Sequence, residues 1–248
     1  MIATIINTFT APGETFESIV KDFNWKQAML PLSLIMGLAI ISGIILSDQI
    51  ADLQWEQIQQ SINNNTNISE EQKQEILGAQ YDRVYSKSGA SAIFTYITMA
   101  LSWPIRILFW SLFSMFVGNL FLGGGASFGR VFLVASFAYL PSVLEYIIKT
   151  PIQYITDNLK IFTGLGVLGV GEEGEFLNSF LAGIDLFAFW RVYLMAIGFS
   201  YLYNKPSNST LSVLVGLWIF SLIIFFYCIS CKEFSVMILG NAMDFKIS

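Results

Sequence analysis

From Ala28 to Leu46 the chain runs without a charged residue, between Lys26 on one side and Asp48 on the other. A helix of about 20 mostly apolar residues crosses the roughly 30 Å hydrocarbon core of a bilayer, so 28–46 has the length of a span. Four further segments share this character: 92–121, 128–148, 176–203 and 211–231. Lipid offers no hydrogen bonds to the backbone, so only helices and closed barrels cross it. None of these runs shows the short apolar–polar alternation of barrel strands. The expected fold is therefore all-α, a polytopic membrane bundle of five transmembrane helices forming one domain over 1–248. Pro104 and Pro141 fall inside the second and third spans and are expected to kink them, which neighbouring helices can tolerate. Gly123, Gly124 and Gly125 supply the turn between those two spans.

Composition narrows the function. The chain is 54% hydrophobic and 12% charged, against roughly a quarter charged in soluble domains. A net charge of −5 with no basic run argues against nucleic acid as a partner. Histidine is absent, and with it the commonest general base and metal ligand; no catalytic, cofactor or metal site is expected. Cys228-Ile229-Ser230-Cys231 has redox spacing but closes an apolar span, where burial disfavours a thiolate, so it reads as packing filler.

Two segments stand outside the spans. Residues 48–89 carry seven acids and three bases, too polar for a core of their own, and read as a helical excursion beyond the bilayer. Within it, Ser69 is placed to cap a helix over Glu70–Ala79. At the N-terminus, Pro12 suits a first helical turn, and Glu14 and Glu17 suit its dipole. Phe16, Ile19, Val20 and Phe23 then fall on one side, which reads as an amphipathic helix over 10–26. That helix either lies in the membrane interface or packs on the bundle. The segment lacks signal-peptide order and is expected to be retained.

Four charges lie well inside spans: Arg106, Glu145, Asp185 and Arg191. Charge in hydrocarbon is costly and marks function or pairing. Glu145 and Lys149 are spaced to pair along one helix; Arg106–Asp185 and Glu145–Arg191 are the cross-helix candidates. Static pairing that fixes helix register is the favoured reading, a polar pathway the alternative. Gly164-Leu165-Gly166-Val167-Leu168-Gly169 matches the dinucleotide fingerprint G-x-G-x-x-G, but no strand–helix context surrounds it. It reads as a short apolar, Gly-rich connection that dips into the membrane interface or packs against the bundle. Ala39, Gly43, Ala196, Gly198 and Ser200 permit close helix contact. Basic residues are spread too evenly over the two sides to set orientation.

The stretches FTAPGETFESIV, GGGASFGRVFLVASFAYLP and FWRVYLMAIGFSYLY, with the lead Trp25–Pro31, resemble the Yip family (Ypt/Rab-interacting proteins) in its bacterial branch. The resemblance runs from about Phe9 to Cys231 and includes the five-span count. It implies a cytoplasmic N-terminus, a C-terminus on the far side and a place in the bacterial inner membrane, with 48–89 on the extracytoplasmic side. It carries no catalytic or cofactor residues. Eukaryotic relatives bind Rab GTPases in membrane traffic and shaping, but their Asp-Leu-Tyr-Gly-Pro motif is missing here. Bacterial relatives look like accessory subunits of ABC-type export systems with a periplasmic adaptor. The leading expectation is a non-enzymatic accessory or scaffold protein whose partners are other integral membrane proteins, such as an ABC permease and adaptor, and the lipid bilayer. A solute or ion transporter using the four charges is the alternative, and a membrane-trafficking or membrane-shaping role is the second.

Overall fold

The computed structural model describes residues 2–65, 67–85, 90–171 and 176–224. Among them the chain is helical: α1 Ile2–Thr10, α2 Pro12–Lys21, α3 Met29–Ile45, α4 Ser47–Asn63, α5 Glu70–Tyr85, α6 Ala90–Phe121, α7 Phe128–Ala138, α8 Pro141–Thr156, α9 Phe176–Gly183 and α10 Leu186–Tyr203. A last helix, α11, covers Ser207–Ile224. Five stretches of the described residues are long and apolar enough to cross a bilayer: Trp25–Ile45, Ile93–Phe121, Phe128–Thr156, Leu186–Tyr203 and Ser207–Ile224. The all-α polytopic architecture expected from the sequence is the one observed, and the chain is an integral membrane protein.

Contacts divide the chain into two units. The first draws its described residues from Met1–Pro31, Ile107–Pro141 and Phe162–Ser248. Here α10 packs on α7 and α2, and α2 also meets α7. Phe16, Val131, Val134, Leu140, Leu194 and Phe199 are fully buried. Gly198 makes this possible: a Cβ there would collide with Val134 Cγ1 and stand 2.9 Å from Phe16 Cδ1. Helices in lipid gain their contact from such close packing rather than from expulsion of water. α11 is tied to α10 by the buried Thr210 hydroxyl, which donates to the Ala196 carbonyl at 2.8 Å.

The N-terminal reading over 10–26 changes in detail. The helix breaks at Ala11, restarts with Pro12 at its first turn and stops at Lys21, and a 3-10 turn over Trp25–Ala28 leads into α3. Proline has no N–H to continue α1 and fixes the φ that starts α2. Phe16 and Ile19 are buried against the bundle while Glu14, Glu17 and Lys21 are exposed. Of this face, Phe16 and Ile19 pack on the bundle and Phe23 is exposed.

The second unit comprises Leu32–Arg106 and Ser142–Ile161. Gly43 of α3 faces α6, where a Cβ would come 2.7 Å from Met99 Sδ. The Thr150 hydroxyl of α8 donates to Ser42 Oγ of α3 at 2.8 Å in a buried site, and Trp103 Nε1 of α6 donates to the Tyr146 hydroxyl of α8 at 2.8 Å. The polar insert is a hairpin of α4 and α5. Ser69 and Gln72 form a capping box, Ser69 Oγ accepting from Gln72 N at 3.3 Å and Gln72 Oε1 from Ser69 N at 3.1 Å. Trp55 meets the edge of Tyr81 with ring centroids 5.2 Å apart, and Tyr85 donates to Asp52 Oδ1 at 2.8 Å.

Three expected spans have different bounds. The third, 128–148, is two helices broken at Tyr139–Leu140; Pro141 starts α8 rather than kinking one helix, since the residue before a proline avoids the α region. α8 then runs on to Thr156, through Pro151. The fourth, 176–203, divides between α9 and α10, because Asp185 is extended and caps α10. The fifth is described as far as Ile224; 225–231, with Cys228 and Cys231, lie outside the described residues. Pro104, by contrast, sits within an unbroken α6.

Candidate functional site

The four intramembrane charges have distinct settings. Glu145 accepts from Lys149 Nζ at 2.8 Å, one turn on along α8, with both side chains largely shielded. This is the local pair expected from their spacing. Asp185 sits at the N-terminus of α10, where its Oδ1 accepts from Phe187 N at 2.8 Å. Its Oδ2 accepts from the Thr163 hydroxyl. The carboxylate thus meets the positive end of a helix dipole and two donors. It belongs to the cap, not to the middle of a span, which is a correction to the sequence reading. Arg191 lies 5.7 Å from the centroid of the Tyr139 ring, and Arg106 4.9 Å from that of Trp103.

The Gly-rich connection is a lock on the same corner. Gly164 and Asp185 form an antiparallel bridge, and Leu165 N donates to the Ile184 carbonyl at 3.0 Å. A Cβ on Gly164 would collide with that carbonyl, and one on Gly166 would stand 3.0 Å from Ala182 Cα. A dinucleotide loop keeps these positions open so that pyrophosphate can approach; here the α9–α10 corner fills them. The 3-10 turn over Leu165–Leu168 follows, ending at Gly169 with φ +57. Val167 and Leu168 face outward. The connection therefore packs on the α9–α10 corner through Gly164 and Gly166 and exposes Val167 and Leu168.

The Gly123–Gly125 turn is held as firmly. Asn119 Oδ1 accepts from Ala126 N at 3.0 Å and from the Tyr203 hydroxyl at 3.0 Å. Cβ atoms on Gly118 or Gly124 would each stand 2.6 Å from the Tyr203 side chain. Gly123 has φ +68, a conformation that side chains disfavour. Neither Asn119 nor Tyr203 was singled out from sequence; they meet across 84 positions, beyond any local signal.

The outward surface is apolar. On α6, Ile97, Leu101 and Ile105 repeat one turn apart and are exposed, as are Ile219, Phe220 and Ile223 on α11. In the second unit a cavity of about 370 Å³ opens among Gly43, Gln54, Gln80, Arg83, Phe94 and Met99, where the α4–α5 hairpin meets the ends of α3 and α6. Among the described residues no three Cys, Asp or Glu side chains are grouped to hold a metal ion.

The family model described as the Yip1 domain matches residues 6–229. No curated protein and no solved structure matches the chain.

Proposed function

The chain belongs to the Yip1 domain family, and from that premise we propose that it is a non-enzymatic accessory protein that binds other integral membrane proteins within the bilayer. One observation carries this reading. The buried hydroxyls of Ser111, Ser136, Thr150 and Thr210 are hydrogen-bonded inside the chain, while α6 and α11 turn rows of Ile, Leu and Phe outward. Such faces suit lateral association of helices better than a solute path, which needs polar groups along a continuous interior. The break at the α9–α10 corner has its helix N-terminus occupied by Asp185. It therefore offers less to an anionic substrate than the open half-helices of transporters.

The bacterial relatives that the sequence resembles suggest the partner: the permease of an ABC-type exporter and its periplasmic adaptor, in the inner membrane. The N-terminus would then be cytoplasmic, and the α4–α5 hairpin, projecting outside, would meet the adaptor. Affinity purification of the full chain in mild detergent, with quantitative mass spectrometry, tests this. Recovery of a permease and an adaptor in fixed ratio is the expected result. Recovery with other membrane proteins alone keeps the accessory role and removes the exporter, and recovery of the chain alone removes both.

A further inference from the structure

Three of the four intramembrane charges have neighbours that answer them: Glu145 has Lys149, Asp185 has the α10 N-terminus and Thr163, and Arg191 has the Tyr139 ring among its contacts. Arg106 differs. Its neighbour is the Trp103 ring, and among the described residues of its own unit no carboxylate lies in ion-pair reach. A ring face eases the desolvation of a guanidinium but leaves its charge in place.

The contacts within the second unit fix the depth of this charge. α3 ends at Ile45, and α4 brings Asp48 in its first turn, so the membrane rim lies there. Gly43, opposite Met99, is two residues inside that rim. Arg106 lies seven residues beyond Met99 along α6, about 10 Å deeper at 1.5 Å per residue. The midplane of a 30 Å core is about 15 Å from the rim, so the Arg106 backbone is close to it. The side chain leans back over Trp103, which the Tyr146 bond places about two turns below the rim, one turn deeper on α8 than Thr150.

Arg106 is exposed and borders the outward row Ile97, Leu101 and Ile105, beside exposed Ser102. We infer that this face of α6 receives a transmembrane helix of a different protein that carries an Asp or Glu at the depth of Arg106. The inference rests on the accessory reading above and names the chemistry of its partner. Guanidinium and carboxylate match in a planar, two-bonded geometry, and an intramembrane charge left without one is costly. A second copy of this chain is a poor donor, because its own intramembrane acids, Glu145 and Asp185, are engaged.

The test places a photoreactive phenylalanine analogue at Leu101 of the full chain in its native membranes, and a second probe at Phe220 on α11. The expected adduct from Leu101 maps to a transmembrane segment bearing an acid. Arg106→Leu should lower its yield by ~30-fold or more, the low end for truncating one partner of a desolvated charge pair. Arg106→Lys should keep most of it, and neutralising the partner's acid should repeat the loss. If Arg106→Leu does not accumulate, the partner's acid variant decides alone. Adducts to lipid only, to a segment without an acid, to a second copy, or undiminished by Arg106→Leu overturn the inference. A partner adduct from Phe220 then leaves the accessory reading standing; no protein adduct from either probe removes that reading as well.

Discussion

The Tyr203 hydroxyl, at the end of α10, donates to Asn119 Oδ1 near the end of α6 at 3.0 Å, and the Ala126 N–H donates to the same oxygen. One side-chain carbonyl therefore holds both the Gly123–Gly125 turn and the far end of the following bundle helix. Asn119→Ala strands two part-buried donors and should cost ~2–3 kcal/mol, whereas Tyr203→Phe strands none and should cost about 1 kcal/mol. Thermal unfolding of both variants in the same detergent checks the order; equal losses would contradict a shared acceptor.

The glycines should separate by what surrounds them rather than by motif. Gly164→Ala drives a methyl into the Ile184 carbonyl, which backbone movement alone can relieve, and should cost ~3 kcal/mol or more, the upper range for overpacking. Gly125 faces open space and has no positive φ, so Gly125→Ala should be neutral or stabilising by up to ~1 kcal/mol. Unfolding midpoints of the two variants test this. Comparable destabilisation would mean that the corner is not locked as described.

In the α4–α5 hairpin, the Tyr85 hydroxyl is pushed up from 10.0 to about 12, chiefly by its hydrogen bond to Asp52, with desolvation and the Asp52 charge adding to it. A group whose pKa rises on folding stabilises the fold below its unfolded pKa and loses that contribution as pH climbs through the folded value. The hairpin contact is therefore fully present below pH 10 and fades towards pH 12. Ultraviolet titration should show one late-ionising tyrosine here that Asp52→Asn returns towards 10. An unchanged titration curve in that variant would sink the contact.

Glu145 and Lys149 form a shielded pair one turn apart on α8. A double-mutant cycle of Glu145→Gln with Lys149→Gln should show coupling of ~1–3 kcal/mol. Additive losses in the two single variants would remove the pair.

Local chemistry explains which parts of this fold could be read ahead. The first span, expected over 28–46, is observed as Met29–Ile45, and the second, 92–121, lies within Ala90–Phe121, because an unbroken apolar run leaves the backbone no alternative in lipid. Ser69 was legible as a cap because its partner is three residues away. Pro141 and Asp185 carried two signals each. Both were read as features inside spans, though proline favours a first helical turn and aspartate an N-cap, and those roles prevailed. The helical excursion expected over 48–89 is observed as α4 and α5, with the bounds of α4 left open because its polarity gives no apolar run to mark them. The Tyr203–Asn119 bond and the Gly164–Ile184 contact depend on chain segments brought together only by folding, and no local pattern encodes them.

The account stands most directly on whether this chain is bound to another protein in its own membrane. Polymer extraction into native nanodiscs, without detergent, followed by mass measurement and protein identification, reads that state. The account predicts particles heavier than the chain alone, containing a second integral membrane protein in a fixed ratio. Monodisperse particles holding this chain and lipid alone would contradict it.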